Sequence, residues 1–281
     1  MKTSDKTKFT KRLLLVDGHA VAFRSWFQSD SQSVVPGFLN HLMSSIEDHN
    51  PTHLIVAFDP PPPTFRHKIY SDYKANRPPV PDEFLEECSN LFVTLDCIEV
   101  EHHQEEGYEA DDVLGTLTKS ASSLGFMTTI ITSDLDLLQL LTDDVSVEVF
   151  SQYWPTRTFD VERAKSHFDG IEPRRIPDLK GLVGDRSDNL PGVKGIGAVA
   201  AKAILNGDSS LEDVYQDLGR IAELPIRGAK RISRLLSENK KEAYKMRMLA
   251  TIVVDVELDI DIEKSLCEGV LQRIESSLER T

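Results

Sequence analysis

GYEADDVLGTLTKSASSLGFMTTIITSDLDLLQLL, residues 107–141, carries five carboxylates in two groups: Glu109, Asp111 and Asp112, then Asp134 and Asp136. The first group opens an amphipathic run (Val113, Leu114, Leu117, Ala121, Leu124) that Gly125 closes, so the spacing predicts a helix. Thr128–Thr132 then predicts a short buried strand that ends at Asp134. One acidic group therefore stands at a helix start and the other at a strand tip, and a parallel α/β sheet can bring both to its carboxyl edge. Like charges gathered there repel unless cations compensate them, and hard divalent cations take oxygen ligands. Helix starts also attract acids through the macrodipole. That covers one or two of the five and leaves the structural and metal readings side by side.

Upstream, Arg12–Val16 is an apolar run delivering Asp17-Gly18 at its tip, with Arg24 following, and His53–Phe58 is a second such run ending in Asp59. Aspartate is a common turn former at a strand end, but three strand tips at Asp17, Asp59 and Asp134 make a repeated placement. Helical spacing runs from Pro36 to His49, and Asp82 is expected to cap a helix through about Leu95. Cys97–Val100, Val145–Phe150 and Thr158–Asp160 are expected as further strands, and the chain is mostly helical from Val161 onward. Alternation of strands and helices over 12–150 predicts an α/β fold with a doubly wound, mainly parallel sheet, followed by a helical part.

Two further segments carry chemistry. After Pro60–Pro63, TFRHKIYSDYKANR interleaves Arg66, Lys68, Lys74 and Arg77 with Phe65, Tyr70 and Tyr73, which suits a nucleic-acid strand or an ordinary solvated surface. GLVGDRSDNLPGVKGIGAVAAKAIL, residues 181–205, adds Asp185 and Asp188 and then a hairpin containing Gly192, Gly195 and Gly197 before an Ala-rich helix. No strand precedes those glycines and their spacing is not G-x-G-x-x-G, so a dinucleotide loop is rejected. A phosphate-binding helix-hairpin-helix fits, with Lys194 and Lys202 as its cations.

The totals set bounds. With 281 residues, 40% hydrophobic and 28% charged, the chain can bury a substantial core as one large domain or two small ones. No apolar run of ~18 residues predicts a membrane span, and the polar, basic leader lacks the apolar core of a secretory signal. Three scattered cysteines favour a reducing, cytoplasmic compartment. The net charge of −14 argues weakly against nucleic acid, since basic residues gather locally and bound cations would offset the acids. No Ser/His/Asp or Cys/His set suggests covalent catalysis.

In family order, LLLVDGHAVAFR, FDPPPPTFRHKIYSDYKANR, GYEADD, TSDLDLLQLL and GDRSDNLPGVKGIGAVAAKAIL cover most of residues 12–205. The chain so resembles the 5′-nuclease domain of bacterial DNA polymerase I, within the flap endonuclease superfamily. The resemblance implies a PIN-like core over 12–175 with a helical arch at about 60–95. A leader over 1–11 would precede it, and a DNA-binding part over 176–281 would follow, with the helix-hairpin-helix at about 178–206. It also implies two Mg²⁺ ions, replaceable by Mn²⁺. The first group of ligands would be Asp17, Asp59, Glu109 and Asp111; the second, Asp112, Asp134, Asp136, Asp185 and Asp188. Arg24, Lys74 and Arg77 would act on the scissile phosphate or the threaded strand, Arg66 and Tyr73 would meet DNA, and K⁺ would sit at the hairpin. A stand-alone or shortened monomer working on 5′ flaps, nicked or 5′-ended duplexes and RNA–DNA primer junctions, near a separate polymerase, is the resulting expectation. A PIN-like ribonuclease and a non-catalytic, structure-specific DNA-binding protein are the alternatives.

Overall fold

The computed structural model describes residues 11–29, 32–151 and 153–280; the expected leader falls almost wholly outside them. Among the described residues six strands form one sheet: β1 (Arg12–Asp17), β2 (His53–Phe58), β3 (Glu101–Gln104), β4 (Met127–Thr132), β5 (Val145–Val149) and β6 (Arg157–Phe159). Their order is β3-β2-β1-β4-β5-β6, parallel throughout except for β6, which runs antiparallel to β5. The order reverses between β1 and β4, and a crevice outside the strand ends opens at such a reversal. Val16 pairs with both Val56 and Ile131, so the tips of β1, β2 and β4 finish level with one another.

Burial on both faces explains the continuous apolar strands. Leu14, Val16, Leu54, Val56 and Phe58 point to the side covered by α1 (Gly18–Gln28), α2 (Val35–His49) and α4 (Asp82–Cys97), whereas Leu13, Leu15, Ile55 and Ala57 point to the side covered by α5 (Ala110–Ser123). Side chains alternate faces along a strand, and this assigns each residue to one of the two cores.

β3 departs from the expected 97–100 strand. Ile98 and Val100 instead close the preceding helix, their amides donating to Thr94 O at 3.0 Å and Leu95 O at 2.9 Å. The strand itself is the polar Glu-His-His-Gln at the sheet's edge, which no apolar pattern could announce.

The segment expected to arch over the site is not continuously helical. It contains α3 (Phe65–Ile69), a stretch of turns, and α4 (Asp82–Cys97), which buries Phe84, Cys88, Leu91 and Leu95 in the core with α1 and α2. The turns are docked too. Asn76 Nδ2 donates to Arg186 O at 2.7 Å, Asn189 Nδ2 to Asp72 O at 2.7 Å, and the Lys74 amide to Asp188 O at 3.0 Å.

Beyond β3 the chain forms α5 (Ala110–Ser123) and α6 (Val161–His167), then α7 (Ile176–Val183), α8 (Ala198–Leu205), α9 (Leu211–Gln216), α10 (Leu218–Ala222), α11 (Ala229–Glu238), α12 (Lys240–Ala250) and α13 (Val270–Leu278). Leu182, Val193, Ile204, Leu205, Leu211 and Leu236 are among the residues of a third core in this helical part. Among the described residues no helix is long and apolar enough to cross a membrane.

The link from α7 to α8 depends on two glycines. Gly184 and Gly192 have φ of +84° and +61°, and a Cβ on Gly192 would stand 2.3 Å from the Gly184 nitrogen. Gly192→Ala is therefore expected to lower the thermal unfolding midpoint, with about 1–3 kcal/mol lost to backbone strain before the clash is added. Gly197, whose added Cβ would meet nothing within 4 Å, is the control that should unfold close to wild type.

Candidate metal centre

Each acid reaches the carboxyl edge for a local reason. Asp17 leaves β1 and caps α1, its Oδ1 accepting from the Ala20 amide at 3.0 Å and its Oδ2 from Thr132 Oγ1 at 2.8 Å. Asp59 follows β2, and its Oδ1 accepts from the Ala110 amide at 2.8 Å, which pins the start of α5 beside β2. That junction brings Glu109 and Asp111 to the same edge. Asp134 leaves β4, its amide donating to Thr132 Oγ1 at 3.0 Å while its Oδ1 accepts from the Asp136 amide at 2.8 Å. Thr132 thus serves both sides of the strand reversal.

Asp185 and Asp188 arrive from the helical part. The Asp185 backbone pairs with Leu190 through two 2.7 Å hydrogen bonds, and its Oδ1 accepts from the Ser187 amide at 2.7 Å. Oxygens of Asp136, Asp185 and Asp188 come within 4.8 Å of one another, close enough to share a cation.

Electrostatics show the cost of this convergence. Burial, then repulsion from Asp59, pushes Asp17 up to about 7 despite its two hydrogen bonds. Burial followed by Asp134 raises Asp136 to about 7. Asp111 stands well above the ordinary carboxylate range through burial and then repulsion from Asp134, Asp17 and Asp59, with Lys74 only partly offsetting them. All the donors are carboxylate oxygens, the chemistry that hard divalent ions prefer, so the residues fit such ions.

Cations already brace the rim. Lys180 contacts both Asp136 and Asp185. Burial would lower the Lys180 value, but Asp136, Asp134 and Asp185 together raise it. For Asp185 the upward push of burial is outweighed by Lys180 and Ser187, leaving it below its ordinary value. The Lys180 ammonium supplies positive charge between two expected ligands. Sequence reasoning missed it, although its place five residues before Asp185 on α7 was a usable signal. Lys74 donates to Glu109 Oε1 at 2.8 Å from a left-handed backbone (φ +54°), a conformation that non-glycine residues adopt under constraint. Arg77 Nη2 donates to Asp188 Oδ1 at 2.8 Å.

Other expected residues are placed differently. Asp112, expected to help hold the second ion, is wholly buried with both oxygens engaged. Oδ2 accepts from Arg66 Nη1 at 2.6 Å and the Glu109 amide at 3.0 Å; Oδ1 accepts from Arg66 Nη2 at 2.8 Å and the Val253 amide at 2.8 Å. Arg66, expected to meet DNA, is buried with it and also donates to Leu249 O at 2.8 Å and Thr251 O at 2.9 Å. Tyr73, expected beside a base, is buried, and its hydroxyl lies 2.9 Å from Glu109 Oε2 and 3.2 Å from Asp188 Oδ2. It joins the two acidic groups instead. Lys202 is ion-paired with Asp169, whereas Lys194 is exposed in the hairpin. Arg24 lies on α1 with its guanidinium over the Phe150 ring.

Two variants separate anchor from ligand. Asp112→Ala takes from the buried Arg66 its bidentate partner and leaves only Glu109 Oε2, 3.4 Å away, as a counter-charge, so a loss of about 3 kcal/mol in chemical unfolding is expected, the lower end for breaking a buried ion pair. Asp111→Asn removes a buried carboxyl that neighbouring acids repel and should raise the metal-free unfolding midpoint. The folded values of Asp17 and Asp136 stand above the ordinary 3.8, so the metal-free folded protein binds extra protons between about 4 and about 7. These groups therefore make it less stable as pH rises through that window. Unfolding in EDTA should show the decline, and saturating Mg²⁺ should reduce it.

A family model described as "5'-3' exonuclease, N-terminal resolvase-like domain" matches residues 12–169, and one described as "5'-3' exonuclease, C-terminal SAM fold" matches 171–272. DNA polymerase I of Chloroflexus aurantiacus is 37% identical over 264 residues, 89% of this chain and 27% of its own length. DNA polymerase I of Bacillus subtilis is 35% identical over 261 residues, 90% of this chain and 29% of its own length. The chain thus spans less than a third of these relatives. A zinc-bound T5 5′-exonuclease has the same fold, with a TM-score of 0.73 at 22% identity, covering 96% of this chain and 99% of that one. The bacteriophage T5 D15 flap endonuclease in complex with DNA and metal ions gives 0.72 at 22% identity, covering 96% and 98%. With matched models spanning nearly the whole chain and the acids gathered at the sheet's switch point, the protein belongs to the 5′-3′ exonuclease family.

Proposed function

We propose that the chain is a divalent-metal-dependent 5′→3′ exonuclease and flap endonuclease that hydrolyses phosphodiester bonds at 5′ ends and flaps of DNA. One observation carries the reading. Acids from β1, β2, α5, β4 and the α7–α8 link converge at one sheet edge, where burial and then their mutual repulsion raise Asp17, Asp111 and Asp136. Asp17, Asp59, Glu109 and Asp111 would hold one ion, and Asp134, Asp136, Asp185 and Asp188 a second. Bound Mg²⁺ or Mn²⁺ supplies an activated water and charge stabilisation at the leaving oxygen.

The chain's own residues do the rest. Lys74 and Arg77 are set by the 72–77 turns against Glu109 and Asp188, where they offset negative charge on the reacting phosphate. Tyr73 holds Glu109 and Asp188 in a fixed relation. The open Gly197 position at the start of α8 and the exposed Lys194 suit the phosphates of the duplex, with K⁺ at the hairpin. RNA–DNA primer junctions are included among the substrates, with a separate polymerase as the functional partner of a monomeric nuclease.

A 5′-flap duplex incubated with Mg²⁺ tests the reading: cleavage to 5′-phosphate fragments is expected, abolished by EDTA and restored by Mg²⁺ or Mn²⁺. Absence of cleavage with either ion overturns it. Lys74→Ala should lower kcat by roughly 10²-fold or more, the usual cost of removing one charge-stabilising donor.

A further inference from the structure

Arg24 has no carboxylate or other hydrogen-bonding partner among the described residues, yet it is not loose. Its guanidinium lies 5.0 Å from the centroid of the buried Phe150 ring, which also meets the His41 ring edge-on at 5.1 Å. Phe150 stands just past the end of β5, where its amide donates to Thr132 O at 3.0 Å. Thr132 in turn donates from Oγ1 to Asp17 at 2.8 Å, and Asp17 caps the helix on which Arg24 sits seven residues later. Seven residues are two helical turns, so cap and arginine share a face of α1.

We infer that Phe150 is the positioning residue for Arg24: the ring seats the cation two turns of α1 beyond Asp17 and leaves the guanidinium donors free for a phosphate of the substrate strand. This rests on the reading of Arg24 as a phosphate contact. A carboxylate in the same place would hold the arginine as firmly but occupy its N–H groups, whereas an aromatic face attracts the cation without using a donor. Phe150 touches no substrate; it acts through Arg24.

The test is a double-mutant cycle on the full chain with a 5′-flap duplex and Mg²⁺, comparing wild type, Arg24→Ala, Phe150→Leu and the double variant. Phe150→Leu keeps an apolar side chain without the ring, and Phe150→Met is the second variant should leucine pack badly. Expected is a roughly three- to tenfold rise in KM for either Phe150 variant with kcat nearly unchanged, the range that a single cation–π contact supports. In the Arg24→Ala background the same substitution should add nothing to KM, and it should lower the unfolding midpoint less than in wild type, because the ring–cation contact is already gone. Phe150→Tyr, which retains the ring, should keep KM near wild type. If Arg24→Ala alone leaves KM and kcat unchanged, the phosphate-contact reading fails and the inference with it. If Arg24→Ala impairs the enzyme but the Phe150 variants leave KM unchanged, or raise it equally in both backgrounds, the positioning role is overturned on its own.

Discussion

Repulsion between carboxylates at one edge of the sheet is the constraint around which the rest of this molecule is arranged. Asp17, Asp111 and Asp136 all titrate above the ordinary carboxylate range, and in each case burial is compounded by neighbouring acids. A fold built for stability alone would separate these charges. Here the acids are fastened in place: the Ala20 and Ala110 amides, the Thr132 hydroxyl, Lys74 and Lys180 each take an oxygen that would otherwise turn away. The arrangement is unfavourable by itself, and a cation shared by these oxygens would offset the repulsion.

The Arg66–Asp112 pair has the opposite character. It is sealed from solvent, both charges are matched, and the remaining donors and acceptors reach the Glu109 and Val253 amides and the carbonyls of Leu249 and Thr251. It therefore clamps α3 and the start of α5 to the chain leaving α12. A clamp at that point also sets the neighbouring residues: Glu109 precedes α5, while Tyr73 and Lys74 follow α3 and bond to Glu109. Two adjacent aspartates in the same sequence block thus divide the work. Asp111 faces the site and Asp112 is turned into the protein, as successive positions about 100° apart on a helix require.

The α7–α8 link joins the two halves of the site. The close backbone approach of Gly184 and Gly192 folds the link tightly, and Asp185 and Asp188 project from it toward Asp136. The turns at 72–77 pack against it, so Lys74 and Arg77 are positioned from the helical side as well as from the sheet.

The sequence by itself determined the main strands, the doubly wound order of alternating elements, and the acids at their tips, because apolar runs and strand-end aspartates are local patterns. The polar edge strand β3 escaped it, since pairing to β2 and not its own composition makes Glu101–Gln104 a strand. Only the tertiary structure decided that Asp112, Arg66 and Tyr73 face inward and that Lys180 stands between Asp136 and Asp185. The physical reason is the same for all four. Whether a charged or aromatic side chain meets a ligand or another side chain depends on partners distant in the chain, such as Asp112 with Val253 and Tyr73 with Asp188, and no local spacing encodes that choice.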